Sequence, residues 1–311
     1  MEPLRKRPER PNTTFLIGTA IVLVIAFAVV VLLFFAFSSL APSFVGKCVA
    51  VVDIDTPITV EGTPPSLFDV GSPGSEQIAS TIESLNERDD VGAVLFVFNS
   101  PGGSVVATRE IYASVESLNK PSVSYFREIA ASGAYYVASG TDYIVSDPDA
   151  LTGSIGVIAT FTDLSGLLDK LGVNVTAVKS GPHKDIGSSF RNMTTEEKEI
   201  LQGLINEVYD EFRGIVVENR RGRLDMTKFN DVSDGRILSG RQAAKVGLVD
   251  QTGSKKDAIL KAAELANMSA TSVDDVRLCP VSALSEEGGL FSIQSFLHGL
   301  EAKSGIRLSY G

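Results

Sequence analysis

The apolar run at residues 91–98 (Val-Gly-Ala-Val-Leu-Phe-Val-Phe) constrains the fold more than any other stretch. It carries no charge, and it ends in Asn-Ser-Pro-Gly-Gly at residues 99–103 before a helical pattern begins at Val105. A strand that is apolar at successive positions must be covered on both faces, as parallel strands between helices are. Pro-Gly-Gly stops the strand in a tight turn, so the unit reads strand, turn, helix. Further strands are expected at 48–54, 122–125, 143–145, 155–159 and 173–179, with helices at 75–88, 105–118, 134–139 and 164–171. That alternation is the signature of an α/β domain built from right-handed βαβ units. Residues 56–74, rich in Pro, Gly and Ser, read as a surface loop. Residues 194–221 read as one long helix, capped at Thr194 and Thr195, with Ile200, Leu204, Val208, Phe212 and Val216 on one stripe that must pack on something.

The same punctuation has chemical consequences. Glycines at a strand end let backbone N–H groups approach a bound group closely, and amides at a helix start have no intrahelical partner. Gly103 is therefore a candidate donor to a developing oxyanion. Downstream, Ser132 stands among small residues (Ala130, Ala131, Gly133, Ala134) where a turn feeds a helix, and the amide of Gly133 is a second candidate donor. Lys184 lies in the Gly-flanked stretch Ser-Gly-Pro-His-Lys-Asp-Ile-Gly at residues 180–187. A serine hydroxyl is a poor nucleophile until a base removes its proton. A lysine does this only when neutral, and since an exposed lysine titrates near ~10.4, one working at neutral pH must be withdrawn from water.

Together these motifs resemble the signal peptide peptidase A family, half-length form, of the Clp/crotonase superfamily. The resemblance runs through Asn-Ser-Pro-Gly-Gly at 99–103, Ala-Ser-Gly-Ala-Tyr-Tyr at 131–136, Leu-Thr-Gly-Ser-Ile-Gly-Val at 151–157 and Ser-Gly-Arg-Gln-Ala-Ala-Lys-Val-Gly-Leu-Val-Asp at 239–250. It implies a Clp/crotonase-like ββα superhelix over residues 47–268 and a serine endopeptidase with a Ser-Lys dyad. In that scheme Ser132 is the nucleophile, Lys184 the general base, Ser154 the hydroxyl that orients the lysine, and Gly103 and Gly133 the oxyanion donors. Half-length relatives form rings whose sites take Ser and Lys from adjacent subunits, so a homo-oligomer is implied here. Ala134 departs from the family pattern, where a second glycine is common; its methyl is expected to narrow the site while sparing both amides. His183 adjoins Lys184 and is the rival base; neighbours in an extended loop point in opposite directions, and the family pattern selects Lys184.

Composition removes other classes. A net charge of −10 and a pI near 4.8 repel phosphate backbones, so nucleic acid is not a partner. Two cysteines, Cys48 and Cys279, give no disulfide framework and no CxxC signature, and with two histidines, His183 and His298, a zinc site is not expected. No cofactor motif is found.

The N-terminus adds a membrane signal. From Phe15 to Leu40 there are 26 residues without a charge. As a helix rising ~1.5 Å per residue, that length exceeds a hydrocarbon core of about 30 Å. Arg5, Lys6, Arg7 and Arg10 precede it, which holds residues 1–14 in the cytoplasm and places the domain outside. The expected organisation is thus a basic cytoplasmic N-terminus (1–14), a single-pass transmembrane signal anchor (15–40), the peptidase domain (47–268) and a C-terminal extension (269–311) containing a linker and a short amphipathic helix. The favoured function is a membrane-anchored endopeptidase that cleaves extended apolar peptides such as remnant signal peptides. An acyl-CoA enzyme of the crotonase superfamily and a non-catalytic membrane scaffold are the alternatives.

Overall fold

The computed structural model describes residues 46–64 and 71–281 and, further upstream, Phe27, Val29 and Val31, which are helical. The rest of the expected anchor at 15–40 lies outside the described residues, as does the amphipathic helix expected near the C-terminus. Among the described residues no helix is long and apolar enough to cross a membrane. The chain divides into two units at Gly46/Lys47, and everything below concerns the second.

An eight-stranded sheet forms its centre. Strands β1 (Cys48–Ile54), β2 (Val91–Ser100) and β3 (Ser122–Ala131) pair in parallel, with Val52 opposite Phe96 and Phe96 opposite Ser124. The long β3 serves two partners: its first half pairs with β4 (Tyr143–Ser146) and its second with β5 (Leu151–Gly153). β5 in turn pairs antiparallel with β6 (Ile237–Ser239), β4 pairs with the short β7 (Gln251–Thr252), and β8 (Leu278–Val281) flanks β1.

Alternation along β1 and β2 explains why these strands read as unbroken apolar runs. Ala50, Val52, Phe96 and Phe98 point to one face, beneath helices α1 (Ser75–Ser84), α2 (Val105–Glu116) and α3 (Gly133–Ser139). Val49, Val51, Leu95 and Val97 point to the other, against Ala258, Ile259, Ala262 and Ala263 of the last helix. Each large aliphatic or aromatic side chain buried this way contributes roughly 1.5–3 kcal/mol.

Between β5 and β6 the chain forms α4 (Ser165–Leu171), α5 (Thr195–Asn219) and α6 (Met226–Val232), followed by α7 (Gly240–Val246) and α8 (Lys255–Leu265). Thr194 caps α5 as expected: its hydroxyl accepts from the Glu197 amide at 3.1 Å, and the Glu197 carboxylate accepts from the Thr194 amide at 3.0 Å. The motif at 239–250 proves architectural. Ser239 caps α7, Gly247 ends it in the left-handed region, and Asp250 receives two hydrogen bonds from the fully buried Arg220 at 2.8 and 2.9 Å.

Three expectations are corrected. Strands at 155–159 and 173–179 do not form, although both segments are rich in β-formers. Beyond the buried Ile155 no neighbouring strand is available among the described residues, and Ile158 and Val178 are 86% and 99% exposed. A strand without a partner leaves its ladder groups to water, so propensity alone does not make one. The absence of a disulfide was the third. Because β8 returns beside β1, Cys48 and Cys279 come within 6.0 Å between Cα atoms and are joined by a disulfide. This occupies both thiols, which removes the two soft ligands from the only three-group acidic and cysteine cluster among the described residues, Cys48, Asp90 and Cys279.

Candidate active site

β3 ends at Ala131, α3 begins at Gly133, and Ser132 between them makes the turn with φ 55° and ψ −125°. For a residue with a side chain this is sparsely populated backbone, costing of order 1–3 kcal/mol, and the surroundings must enforce it. They do so through two hydrogen bonds: Ser132 N–H donates to Gly153 O at 2.9 Å, and Tyr136 N–H donates to Ser132 O at 3.0 Å. The flanking residues are small because there is no space for more. Ala130, Ala131 and Ala134 are all buried, and a Cβ on Gly133 would collide with the Thr108 hydroxyl.

The glycine turn after β2 presses against this turn. Gly102 has φ +93°, and a Cβ there would lie 2.6 Å from Gly133 N and 2.7 Å from Ala131 O. Gly103 is pinned on its other side, where Ile58 N–H donates to Gly102 O at 2.9 Å and Ser104 N–H donates to Ile58 O at 2.8 Å. Neither the Gly103 nor the Gly133 amide donates a hydrogen bond among the described residues, and both face one cleft with Ser132. Two fixed, unengaged amides beside a serine hydroxyl form an arrangement able to bind an oxyanion.

That cleft, about 110 Å³, has apolar walls from three segments: Val105 of α2, Val157 and Ile158 after β5, and Val208 and Phe212 of α5. Its polar members are Thr108, Arg109, Tyr136 and Glu211. Arg109 Nε lies 3.0 Å from a Glu211 carboxylate oxygen, and the Tyr136 hydroxyl donates to the same oxygen at 3.3 Å. Burial, with Glu211 beside it, pushes the Tyr136 phenol up to about 12, so it remains a neutral donor. Ala134 is absent from the lining and lies in the core, so its methyl does not narrow the site.

The predicted residues are therefore only partly assembled. Ser132, Gly133 and Gly103 meet at the cleft. Ser154, with φ 50°, follows Gly153, whose partner in the β3–β5 register is Ala131; the two serines thus occupy the next positions on adjacent strands. Lys184 stands apart. It is exposed on the turn at 181–187, does not line the cleft, and its side chain makes no hydrogen bond or ion pair among the described residues. The turn itself is braced. Asp185 accepts from Lys179 at 2.6 Å and from Arg191 at 2.7 Å, and Arg191 reaches on to the buried carboxylate of Glu197 at 2.5 Å. Arg191 and then Lys179 hold the Asp185 carboxyl well below the usual carboxylate range. Arg191 and the Thr194 amide hold Glu197 down to about 2. His183 is directed elsewhere, with Nε2 3.6 Å from Glu196.

Sequence reasoning did not find Thr108, Arg109 or Glu211. Thr108 and Arg109 follow an apolar start to α2, a visible irregularity, but Glu211, the partner of Arg109 across the cleft, lies about a hundred residues away along the chain and only folding joins them.

Known proteins similar in sequence identify the family. The sequence model of Peptidase family S49 matches residues 115–269. A candidate protease of Methanocaldococcus jannaschii is 44% identical over 218 residues, covering 70% of this chain and 68% of that protein. A candidate signal peptide peptidase of Enterococcus faecium is 36% identical, over 62% of this chain and 57% of its own length. A chloroplastic serine protease of Arabidopsis thaliana is 31% identical, over 64% of this chain and 30% of its own. With a mixed α/β domain carrying a serine at a strained turn before two free amides, the chain is a serine peptidase and belongs to peptidase family S49, among the signal peptide peptidase A proteins.

Proposed function

We propose that the protein is a membrane-anchored endopeptidase in which Ser132 attacks the scissile carbonyl and Lys184 takes its proton. The oxyanion is held between the amides of Gly103 and Gly133. Lys184 then returns the proton to the departing amine, and water hydrolyses the acyl-enzyme with the same lysine as base. Ser154 orients the lysine from its place beside Ser132. The observation that carries this reading is the pair of unengaged amides fixed against the strained Ser132 turn.

Lys184 of a neighbouring subunit, rather than of the same chain, completes the site. This is supported by its exposure outside the Ser132 cleft and by the apolar side chains on the chain segment that precedes it: Ile158, Leu167, Leu171, Val175 and Val178 are all exposed, and α4 buries no residue. Large apolar side chains left exposed together on one segment are consistent with an interface. A closed ring of such contacts admits only extended chains. The domain adopts the Clp/crotonase ββα superhelix and lies outside the cell, anchored by residues 15–40, with released signal peptides as substrates. The Cys48–Cys279 disulfide supports the exterior location, since such bonds persist in oxidising compartments.

A serine-directed fluorophosphonate applied to the full-length protein tests the chemistry. Labelling at Ser132 that disappears in Ser132→Ala is expected. An unlabelled Ser132 in a protein that still hydrolyses peptides would sink the assignment.

A further inference from the structure

The cleft beside Ser132 holds one polar group that neither the fold nor the proposed dyad uses. Thr108 is 3% exposed, yet its Oγ1 has no hydrogen-bond partner among the described residues. A threonine inside a helix usually returns its hydroxyl to a carbonyl one turn back. Here the Thr108 amide makes the ordinary helical bond to Ser104 O at 3.0 Å, while the hydroxyl packs against Gly133 in the wall of the cleft that Thr108 lines. Buried polar groups are nearly always paired, so a hydroxyl left without a partner in the wall of a binding cleft is matched by something that enters the cleft.

Position limits what that can be. With a substrate carbonyl oxygen between the Gly103 and Gly133 amides, the side chain attached one bond away on the acyl side (P1) enters the nearest recess, and Thr108 lies directly behind Gly133. Only a short side chain ends there; a long one passes on toward Arg109 and Glu211. Those two already neutralise each other at 3.0 Å, with Tyr136 donating to the same carboxylate, so they offer no unpaired charge to an ionic side chain.

We infer that this cleft is the P1 pocket and that Thr108 makes it select a short, uncharged hydroxyl side chain. The inference rests on the peptidase reading at Ser132 and adds Thr108 as a specificity residue. A site built to hydrogen-bond a hydroxyl rejects the analogue lacking it, because binding the analogue leaves the site's own group unpaired.

The test uses the full-length protein in detergent and two peptides differing only at P1, serine in one and its near-isostere 2-aminobutyrate in the other. The wild type is expected to favour serine in kcat/KM by roughly tenfold, the ordinary worth of one neutral hydrogen bond. Thr108→Val should remove that preference, and Thr108→Ser should restore it. If Thr108→Val does not fold, Thr108→Ala removes the same hydroxyl. Equal use of the two peptides by the wild type, or a serine preference that survives loss of the hydroxyl, overturns the assignment while leaving the peptidase reading intact. Failure to cleave either peptide, together with no fluorophosphonate labelling of Ser132, overturns both.

Discussion

The Ser132 turn and the Lys184 turn are built on opposite plans. Around Ser132 the chain is locked by backbone: β3 and β5 hold one side, the glycines at 102 and 103 the other, and buried alanines leave no room to move. Around Lys184 there is no sheet and little core. An ion-pair chain, Lys179–Asp185–Arg191–Glu197, ties the turn to the capped end of α5, while apolar side chains nearby face outward. The first region is finished within one chain. The second is held in shape with its apolar side chains exposed, and this difference is what the proposed shared active site requires.

The largest expected effect breaks the comparison directly. Ser132→Ala and Lys184→Ala should each lower kcat/KM by at least ~10³-fold, as loss of a nucleophile or its base does. Mixing the two inactive proteins, dissociated and reassembled together with differential tags, should restore part of the activity, because some interfaces then pair an intact Ser132 with an intact Lys184. Mixed assemblies that stay inactive would show that both residues act within one chain and that the exposure of Lys184 has another cause.

On the Ser132 side, Gly102→Ala is the sharpest probe. The new methyl would lie 2.6 Å from Gly133 N at a residue whose φ is +93°, so the oxyanion donors must move apart. A fall of about 10²–10³ in kcat with a small change in KM is expected, the size seen for loss of one oxyanion donor. On the Lys184 side, Leu171→Asp combined with Val178→Asp leaves the fold untouched, since these side chains are 66% and 99% exposed. Sedimentation should show smaller species and peptide hydrolysis should fall at least tenfold. An unchanged assembly would remove this surface from the interface.

How far the sequence disclosed these two regions follows from where their determinants lie. Near Ser132 they are local: an uninterrupted apolar strand, Pro-Gly-Gly and a small-residue turn each report their own geometry, so Gly103, Ser132 and Gly133 were visible before folding. The cleft walls were not, because Val105, Ile158 and Phe212 meet only through tertiary packing. Near Lys184, periodicity misled. Val173, Val175 and Val178 read as a strand by composition, but a strand needs a neighbour and this segment has none among the described residues. The stripe on α5 shows the same limit: Phe212 and Val216 are buried as expected, whereas Ile200 and Leu204 on the same stripe remain exposed.

A smaller effect separates the two plans by pH. Glu197 ordinarily titrates near 4.5 and is held down to about 2 by Arg191, and Asp185 is lowered in the same way. A lowered carboxyl binds fewer protons folded than unfolded, so its stabilisation is complete above about 4.5 and is lost as pH falls toward 2. Arg191→Gln removes the largest cause of both shifts. Its Tm should therefore fall below that of the wild type at pH 7, with the gap closing as the pH approaches 3. A gap that is constant with pH would mean that Arg191 acts by packing rather than by charge.

The smallest expected effect belongs to His183→Ala, and it is informative because histidine is the commoner partner of a nucleophilic serine. His183 adjoins Lys184, yet its Nε2 is turned to Glu196 at 3.6 Å, its Nδ1 is buried without a partner, and the residue does not line the cleft. The Glu196 contact involves a largely exposed carboxylate, so its loss costs less than ~1 kcal/mol. Peptide hydrolysis should stay within about threefold of wild type, since only the fit of the turn is altered while Lys184 keeps its register on the Asp185–Arg191 brace. A loss as deep as that of Lys184→Ala would assign the proton transfer to histidine. It would also require the turn to reverse its facing at the subunit boundary, a rearrangement that the same variant would report as a changed sedimentation profile.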